Sequence, residues 1–339
     1  MSIPQKHTIK GDKAQYNYML FDSVGSFNGF VDGESGQLTE ANHDVWKDVA
    51  SNTQHGIDGG TDWYGTPTPS SINDLELHKA FLGMPLLKEL QPKIKEQLNR
   101  YMEHLDSDVM PKPKVAYNDR GLGMFSFDRA SMGLFQLSKI NLDTRLDKAT
   151  SQLNIELGRT GLNTIVKKVY AFFQDKKSSY PSLRLYVMAG ANARVQGNEM
   201  LYVGLACSEL VEFLEMRGVA VEVNVLVGTS FRNTVNVGVV RVKRFQDKAD
   251  KNQLLLMSSD PRYFRYRGFK ALISLSNHFG LTIPSGLGSL TESMGKEFVT
   301  VLGNDGFVFE QSYSLESAAK EVTRIVETYN QNMKNAKAA

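Results

Sequence analysis

Residues 183–190, LRLYVMAG, come shortly before residues 197–218, GNEMLYVGLACSELVEFLEMRG, which lead directly into residues 219–228, VAVEVNVLVG. The first and third runs are short, apolar and rich in β-branched residues, which is typical of buried strands. The middle run has the length of a helix and ends in Gly218, a residue favoured just after a helix. Strand, helix and strand at these lengths predict parallel strands joined by a crossover helix. The sequence therefore predicts an α/β fold, a Rossmann-like three-layer sandwich.

Further elements extend this pattern toward the carboxyl terminus. Residues 233–244 and 296–303 are interpreted as strands, and residues 315–330 as a final helix capped by Ser314. Upstream, residues 159–174 show helical spacing of apolar residues and are predicted to form an amphipathic helix.

The first third of the chain has a different character. Residues 1–70 are rich in Gly, Asn, Asp, Ser and Thr, and residues 84–107 have helical spacing of apolar residues, so residues 1–110 are predicted to form an irregular, partly helical extension. The α/β domain is assigned to residues 111–330, and residues 331–339 are expected to be a flexible tail.

Composition limits the classes of function. The 339 residues carry 39 basic and 37 acidic side chains, so the net charge of +2 gives no general attraction for polyanions. The single cysteine, Cys207, lies in the apolar helix, where we expect a buried and inert thiol. No apolar run reaches the length of a signal peptide or a membrane span, which favours a cytoplasmic protein with no membrane contact.

The strand that ends in a small-residue turn before a long helix resembles a von Willebrand factor A domain. Such domains often hold a divalent metal through Asp-x-Ser-x-Ser at the end of that strand. Here the corresponding carboxylate position is Met188 and the hydroxyl positions are Gly190 and Asn192. Because a hard cation needs oxygen ligands, we expect a degenerate turn without a metal.

A second resemblance is to an uncharacterised family of phage and bacterial proteins with degenerate A-type domains. The shared segments are WYGTPTPSSINDLELHKAFLGMP (residues 63–85), the strand–helix–strand region from residue 183, a VRVKR strand, and DKADKNQLLLMSSDPRYFRYRGF (residues 247–269). This resemblance implies phage ancestry, hence location in the host cytoplasm, and an adaptor role. Because A-type domains often pair with hexameric AAA-type ATPases, it also implies such an ATPase as a partner.

Residues 259–270, SDPRYFRYRGFK, combine cations with aromatic rings. If a helix starts here, Asp260 caps it and Pro261 occupies its first turn. The side chains of the segment then either pair and stack within the fold or form a platform for nucleic acid or a partner. Its candidate contact residues are Arg262, Tyr263, Arg265, Tyr266, Arg267 and Lys270.

Catalytic and cofactor motifs do not occur in the sequence. There is no GxxxxGK[ST], no GxSxG and no histidine pair at metal-binding spacing, so no catalytic residue and no cofactor is assigned. A site assembled in space from His43, His55, Asp58 and Asp62 stays open.

We therefore predict a non-enzymatic protein–protein interaction module: a scaffold, adaptor or assembly factor. It would bind through loops 190–197 and 228–232, at the carboxyl edge of the sheet. The alternatives are a single-stranded nucleic-acid-binding protein using residues 262–270, a virion or self-assembling structural protein, and, last, an enzyme with a site built from distant residues. The oligomeric state stays open.

Overall fold

The structure is a computed structural model that describes residues 5–61, 63, 66–103, 115–118, 124–126, 170–173, 182–192, 195, 197–303 and 306–338. The chain divides into two compact units. One contains residues 1–110 and 182–339, and the other contains residues 111–181. A boundary falls between residues 110 and 111, as predicted, but residues 182–339 group with the amino-terminal third and not with residues 111–181.

Six strands form the sheet of the larger unit: β1 (His7–Lys10), β2 (Gln15–Phe21), β6 (Ser182–Ala189), β7 (Ala220–Phe231), β8 (Thr234–Lys243) and β9 (Phe307–Phe309). Their spatial order in the sheet is β1-β2-β8-β7-β6-β9. The β2/β8, β7/β6 and β6/β9 pairs are parallel, while β1/β2 and β8/β7 are antiparallel. A mixed α/β fold with a central, mostly parallel sheet flanked by helices is thereby confirmed.

The predicted strand–helix–strand unit is present. Helix α5 (Gly197–Met216) connects β6 to β7, which pair in parallel. The next connection is a hairpin, since Arg232 and Asn233 both have positive φ, as a two-residue turn between antiparallel strands requires. The sheet is therefore not wholly parallel.

The amino-terminal residues are more regular than predicted. Strand β2 joins the sheet beside β8, and a row of buried amides fixes the junction. Asn17 Nδ2 donates to Asn236 Oδ1 at 3.0 Å, and Asn236 Nδ2 donates to Ser276 Oγ at 3.1 Å. A buried amide has a large desolvation cost unless it is hydrogen-bonded, so this row specifies the register of β2.

Helices cover the sheet. They are α1 (Val24–Ser35), α2 (Glu40–Asp58), α3 (Ile72–Glu76), α4 (Met84–Glu103), α5, α6 (Lys251–Ser259), α7 (Pro261–Tyr263), α8 (Phe269–His278), α9 (Met294–Val301) and α10 (Leu315–Ala338). Ser314 accepts a hydrogen bond from Ser317 N at the start of α10, as predicted. Because α10 extends to Ala338, residues 331–338 are helical and do not form the expected tail.

The cationic and aromatic segment is helical, and its predicted start is confirmed. Asp260 Oδ1 accepts from Tyr263 N at 3.0 Å, and Pro261 occupies the first turn. Residues 264–268 form one π-helical turn between α7 and α8. Such a turn contains one extra residue and shifts the angular position of the side chains that follow.

Two predictions of secondary structure are wrong. Residues 294–301 form helix α9 instead of a strand, because their apolar residues face the sheet with helical spacing. In the smaller unit, Tyr170–Phe173 is strand β5 and not the end of a helix. Strand β5 pairs with both β3 (Val115–Asn118) and β4 (Met124–Phe125). The rest of the predicted helix, residues 159–169 and 174, lies outside the described residues.

Helices α5 and α6 pack closely at Gly204, whose backbone N–H donates to Ser259 Oγ at 2.8 Å. A methyl group at this position would overlap the hydroxyls of Ser258 and Ser259. Cys207, one turn further along α5, is fully buried, and burial raises the pKa of its thiol. The thiol therefore stays protonated, in agreement with the expectation of a buried cysteine.

We expect Gly204→Ala to lower the free energy of unfolding by roughly 1–3 kcal/mol, because the tightly packed helices must separate to admit the methyl group. Gly33→Ala is the matched control, since a Cβ on this exposed residue of α1 meets no described atom within 4 Å. It should be neutral or stabilise by up to about 1 kcal/mol. Urea denaturation of both variants measures the difference; equal effects would contradict the close packing of α5 on α6.

Candidate functional site

A cavity of about 740 Å³ lies at the carboxyl ends of the neighbouring parallel strands β6 and β7. Both predicted binding segments contribute to it: Ala191 and Asn192 come from the turn after β6, and Gly228 and Thr229 from the end of β7. Residues 228–231 are therefore strand and not loop as predicted, because β7 continues to the hairpin turn at Arg232. Ligands of open α/β sheets bind at this edge. We call the cavity the crevice and treat it as the candidate functional site.

Three other parts of the chain complete the crevice. Its base consists of the apolar side chains of Phe264, Phe269 and Leu272. A second part is formed by residues 285–290, which we call the strap. A third part comes from the carboxyl-terminal half of α2 together with Trp63.

The turn after β6 holds the strap in place. Gly190 has φ of +108°, and a Cβ there would lie 2.6 Å from the Phe264 ring, so glycine is required. Asn192 binds the strap with both ends of its amide: Nδ2 donates to Leu290 O and Oδ1 accepts from Leu290 N, each at 3.2 Å. Met188 is buried in the core between the sheet and α9. The three positions compared with a metal-binding turn thus have packing and positioning roles.

Arg265 stabilises the same turn from the other side. Its Nη2 donates to Asn192 O at 3.1 Å and to Val195 O at 3.2 Å. The guanidinium carbon lies 5.7 Å from the centroid of the Phe269 ring, which is within cation–π range. Arg265 therefore places a positive charge on the wall of the crevice in a defined orientation.

The other five candidate contact residues are buried: Arg262, Tyr263, Tyr266, Arg267 and Lys270. Glu76, at the end of α3, is the centre of their network. Its carboxylate accepts from Tyr266 at 2.9 Å, from Arg267 at 3.0 Å and from Lys270 at 2.8 Å. We call these four residues the Glu76 cluster.

Further contacts join the segment to the amino-terminal third. Arg267 also donates to Asp32 Oδ1 at 2.9 Å, Arg262 donates to Pro67 O, and Tyr263 donates to Asn28 Oδ1. The segment is thus an internal ion-pair and hydrogen-bond network, the first of the two interpretations of its sequence.

A buried histidine, which the sequence analysis did not single out, completes this junction. His78 Nε2 lies 2.9 Å from Asp260 Oδ2, and both side chains are almost fully enclosed. Asp260 therefore both caps α7 and binds His78. The two residues are 182 positions apart, so no local pattern in the sequence could have paired them.

The site proposed from His43, His55, Asp58 and Asp62 is not assembled. His43 and His55 lie on α2 twelve residues apart, which is roughly 18 Å along a helix. Asp62 lies outside the described residues. Within the described part of the chain, no group of three or more His, Cys, Asp or Glu side chains is arranged to hold a metal ion.

The comparisons with known proteins add one finding. Residues 168–332 match the model of a family described as a domain of unknown function (DUF7192). No curated protein and no solved structure matches the chain. The match includes the strap and residues 260–278, while α2 and Trp63 lie outside it. Across the described ranges, no helix is both long enough and apolar enough to cross a membrane.

Glu76 should stabilise the fold in a pH-dependent way. Burial raises the pKa of Glu76, but hydrogen bonds and charge from Lys270, with further contributions from Tyr266 and Arg267, outweigh it and hold the pKa below its ordinary value of 4.5. A carboxyl whose pKa is lowered by folding contributes stability above the unfolded pKa, and this contribution is lost as the pH falls through the folded pKa.

We expect Glu76→Gln to lower the free energy of unfolding by about 2 kcal/mol at pH 7, because two buried cations lose their carboxylate. The deficit relative to the wild type should shrink as the pH falls below 4.5. Glu89→Gln, which removes only an exposed pair with Lys93, is the control and should change little. Guanidinium denaturation from pH 3.5 to 7 tests this; a deficit that does not depend on pH would refute the assigned role of Glu76.

Proposed function

We propose that this protein is a non-enzymatic interaction module that receives a segment of a partner protein in the crevice. The observation that carries the proposal is that residues from both predicted binding segments line one cavity, at the edge of the sheet where α/β proteins bind their ligands. A cavity with an apolar base and a rim of hydroxyls and amides suits recognition of a side chain and its backbone.

The lining supports binding more than catalysis. Among the described residues that line the crevice, the ionisable side chains are Arg265 and His55. General acid–base catalysis and nucleophilic catalysis need a titratable group hydrogen-bonded to its partner. In the described part of the chain, His55 makes no hydrogen bond to a lining hydroxyl, so no activated nucleophile is assembled.

We also propose that the protein contains a von Willebrand A-like domain. Support for a degenerate von Willebrand A-like domain comes from β6, α5 and β7. Strand β6 ends in a small-residue turn, the long helix α5 follows, and β7 pairs with β6 in parallel. The turn at Asn192 would then serve as part of a binding surface. The resemblance also suggests an AAA-type ATPase as the partner. It further suggests that the protein is a phage-encoded adaptor that acts in the host cytoplasm.

Nucleic-acid binding through residues 262–270 receives less support. Base stacking and phosphate contacts need accessible rings and cations. Five of the six proposed side chains are buried and engaged with residues 28–76.

A photo-crosslinker placed in the crevice should capture one defined protein. Asn52→p-benzoylphenylalanine and Ser285→p-benzoylphenylalanine introduce it at exposed residues in two separate parts of the lining, α2 and the strap. Met216→p-benzoylphenylalanine is the matched control, because this 77% exposed residue ends α5 at the opposite edge of the sheet. The experiment is done in the organism that carries the gene, with mass spectrometry of the adducts.

The proposal predicts the same partner from Asn52 and Ser285 and not from Met216. No adduct at either position in the crevice, or the same adducts from all three positions, would overturn it.

A further inference from the structure

The chemistry of the crevice restricts which part of a partner can enter it; this inference rests on the proposed function. The volume of about 740 Å³ lies within the range of roughly 300–1,000 Å³ that is usual for ligand pockets. The crevice is therefore large enough for one bulky side chain with its backbone groups, and too small for a folded element.

The base of the crevice selects an apolar group. Phe264 is buried, Phe269 is half-buried, and their rings are edge to face with centroids 5.5 Å apart. Leu272 continues this surface along α8, and Leu290 approaches it from the strap. An aromatic or branched aliphatic side chain buried here would gain about 1.5–3 kcal/mol from removal of its surface from water.

The wall of the crevice selects a negative charge. The ionisable residues among its described lining, Arg265 and His55, are both basic, and none of the described acidic residues lines it. Arg265 is oriented by two backbone carbonyls, and guanidinium geometry suits a carboxylate. His55 lies in the last turn of α2 and is the second basic side chain of the lining.

The strap is held in place before any ligand enters. Ser230 and Ser289 exchange two backbone hydrogen bonds, at 2.9 and 3.0 Å, and Thr229 Oγ1 donates to Leu287 O at 2.6 Å. Together with Asn192, these bonds fasten the strap to the ends of both β6 and β7. This part of the lining is therefore ordered in advance, which lowers the cost of binding.

We propose that the crevice binds the carboxyl-terminal residue of a partner protein, and that this residue is apolar. Its side chain would lie on Phe264, Phe269 and Leu272, and its α-carboxylate would face Arg265 and His55. A terminal apolar residue is the part of a protein that carries both groups on one Cα. Capture of a terminal carboxylate is an established mode of peptide recognition.

Trp63 provides the signal for a direct test, because it lines the crevice and the chain has only two tryptophans. Trp46→Phe removes the other and keeps a ring against Tyr266. The probe is the pentapeptide acetyl-Gly-Ser-Gly-Ser-Phe with a free carboxylate. The matched peptides are its carboxyl-terminal amide and the free acid that ends in Ser instead of Phe.

We expect a saturable change in Trp63 fluorescence with the free acid, and affinity weaker by about tenfold or more for each matched peptide. His55→Gln should weaken binding of the free acid several-fold, and His43→Gln, at an exposed position outside the crevice on the same helix, should not. Isothermal titration of the wild-type chain repeats the comparison without the Trp46 substitution. Equal affinity for acid and amide, or for Phe and Ser termini, would overturn the inference.

The crosslinked partner separates this inference from the proposed function. If that partner binds as tightly after deletion of its last residue, the crevice is an interaction site but not a receptor for chain termini. If its affinity falls about tenfold or more on deletion or amidation, both proposals stand.

Discussion

Three cations are buried on one helical segment, and the rest of the structure depends on how their charge is compensated. Arg262, Arg267 and Lys270 are each less than 10% exposed. A buried cation without a partner costs several kcal/mol, so the segment from Asp260 to His278 cannot pack against the sheet unless carboxylates arrive from elsewhere. Asp32 and Glu76 supply them to Arg267 and Lys270 from the amino-terminal third, and Arg262 donates to the Pro67 carbonyl of the same region. The two distant parts of the chain are therefore obliged to fold as one unit.

This obligation also builds the crevice. The two carboxylates, Asp32 and Glu76, belong to α1 and α3, and α2 lies between these helices in the chain. Helix α2 contacts the same segment directly, because the rings of Trp46 and Tyr266 have centroids 5.1 Å apart. Docking of this region also brings the carboxyl-terminal half of α2 into the lining of the crevice. Neither Asp32 nor Glu76 lines the crevice, so their ion pairs contribute to it by holding this region in place.

Local signals predicted the parts of the fold that depend on neighbouring residues. Strands β6 and β7, the helix between them and the cap at Asp260 all follow from runs of fewer than thirty residues. Long-range pairing was not predictable in this way: the parallel register of Asn17 with Asn236 joins positions 219 apart, and a single sequence contains no signal for it. Short apolar runs were also assigned to the wrong type of secondary structure. The apolar residues of 296–303 fit the spacing of a strand and that of a helix equally well, and only packing against the sheet decides between them. For the same reason the two segments at the ends of β6 and β7 could be predicted as parts of the site, but the contribution of α2 could not.

The central claim is that compensation of the buried cations holds the amino-terminal third in place. Hydrogen–deuterium exchange of the double variant Asp32→Asn/Glu76→Gln, read by peptide, tests it most directly. The account predicts that peptides of α2 and α8 lose protection together, while those of β6 and β7 stay as protected as in the wild type. Unchanged protection of α2 in that variant would contradict it.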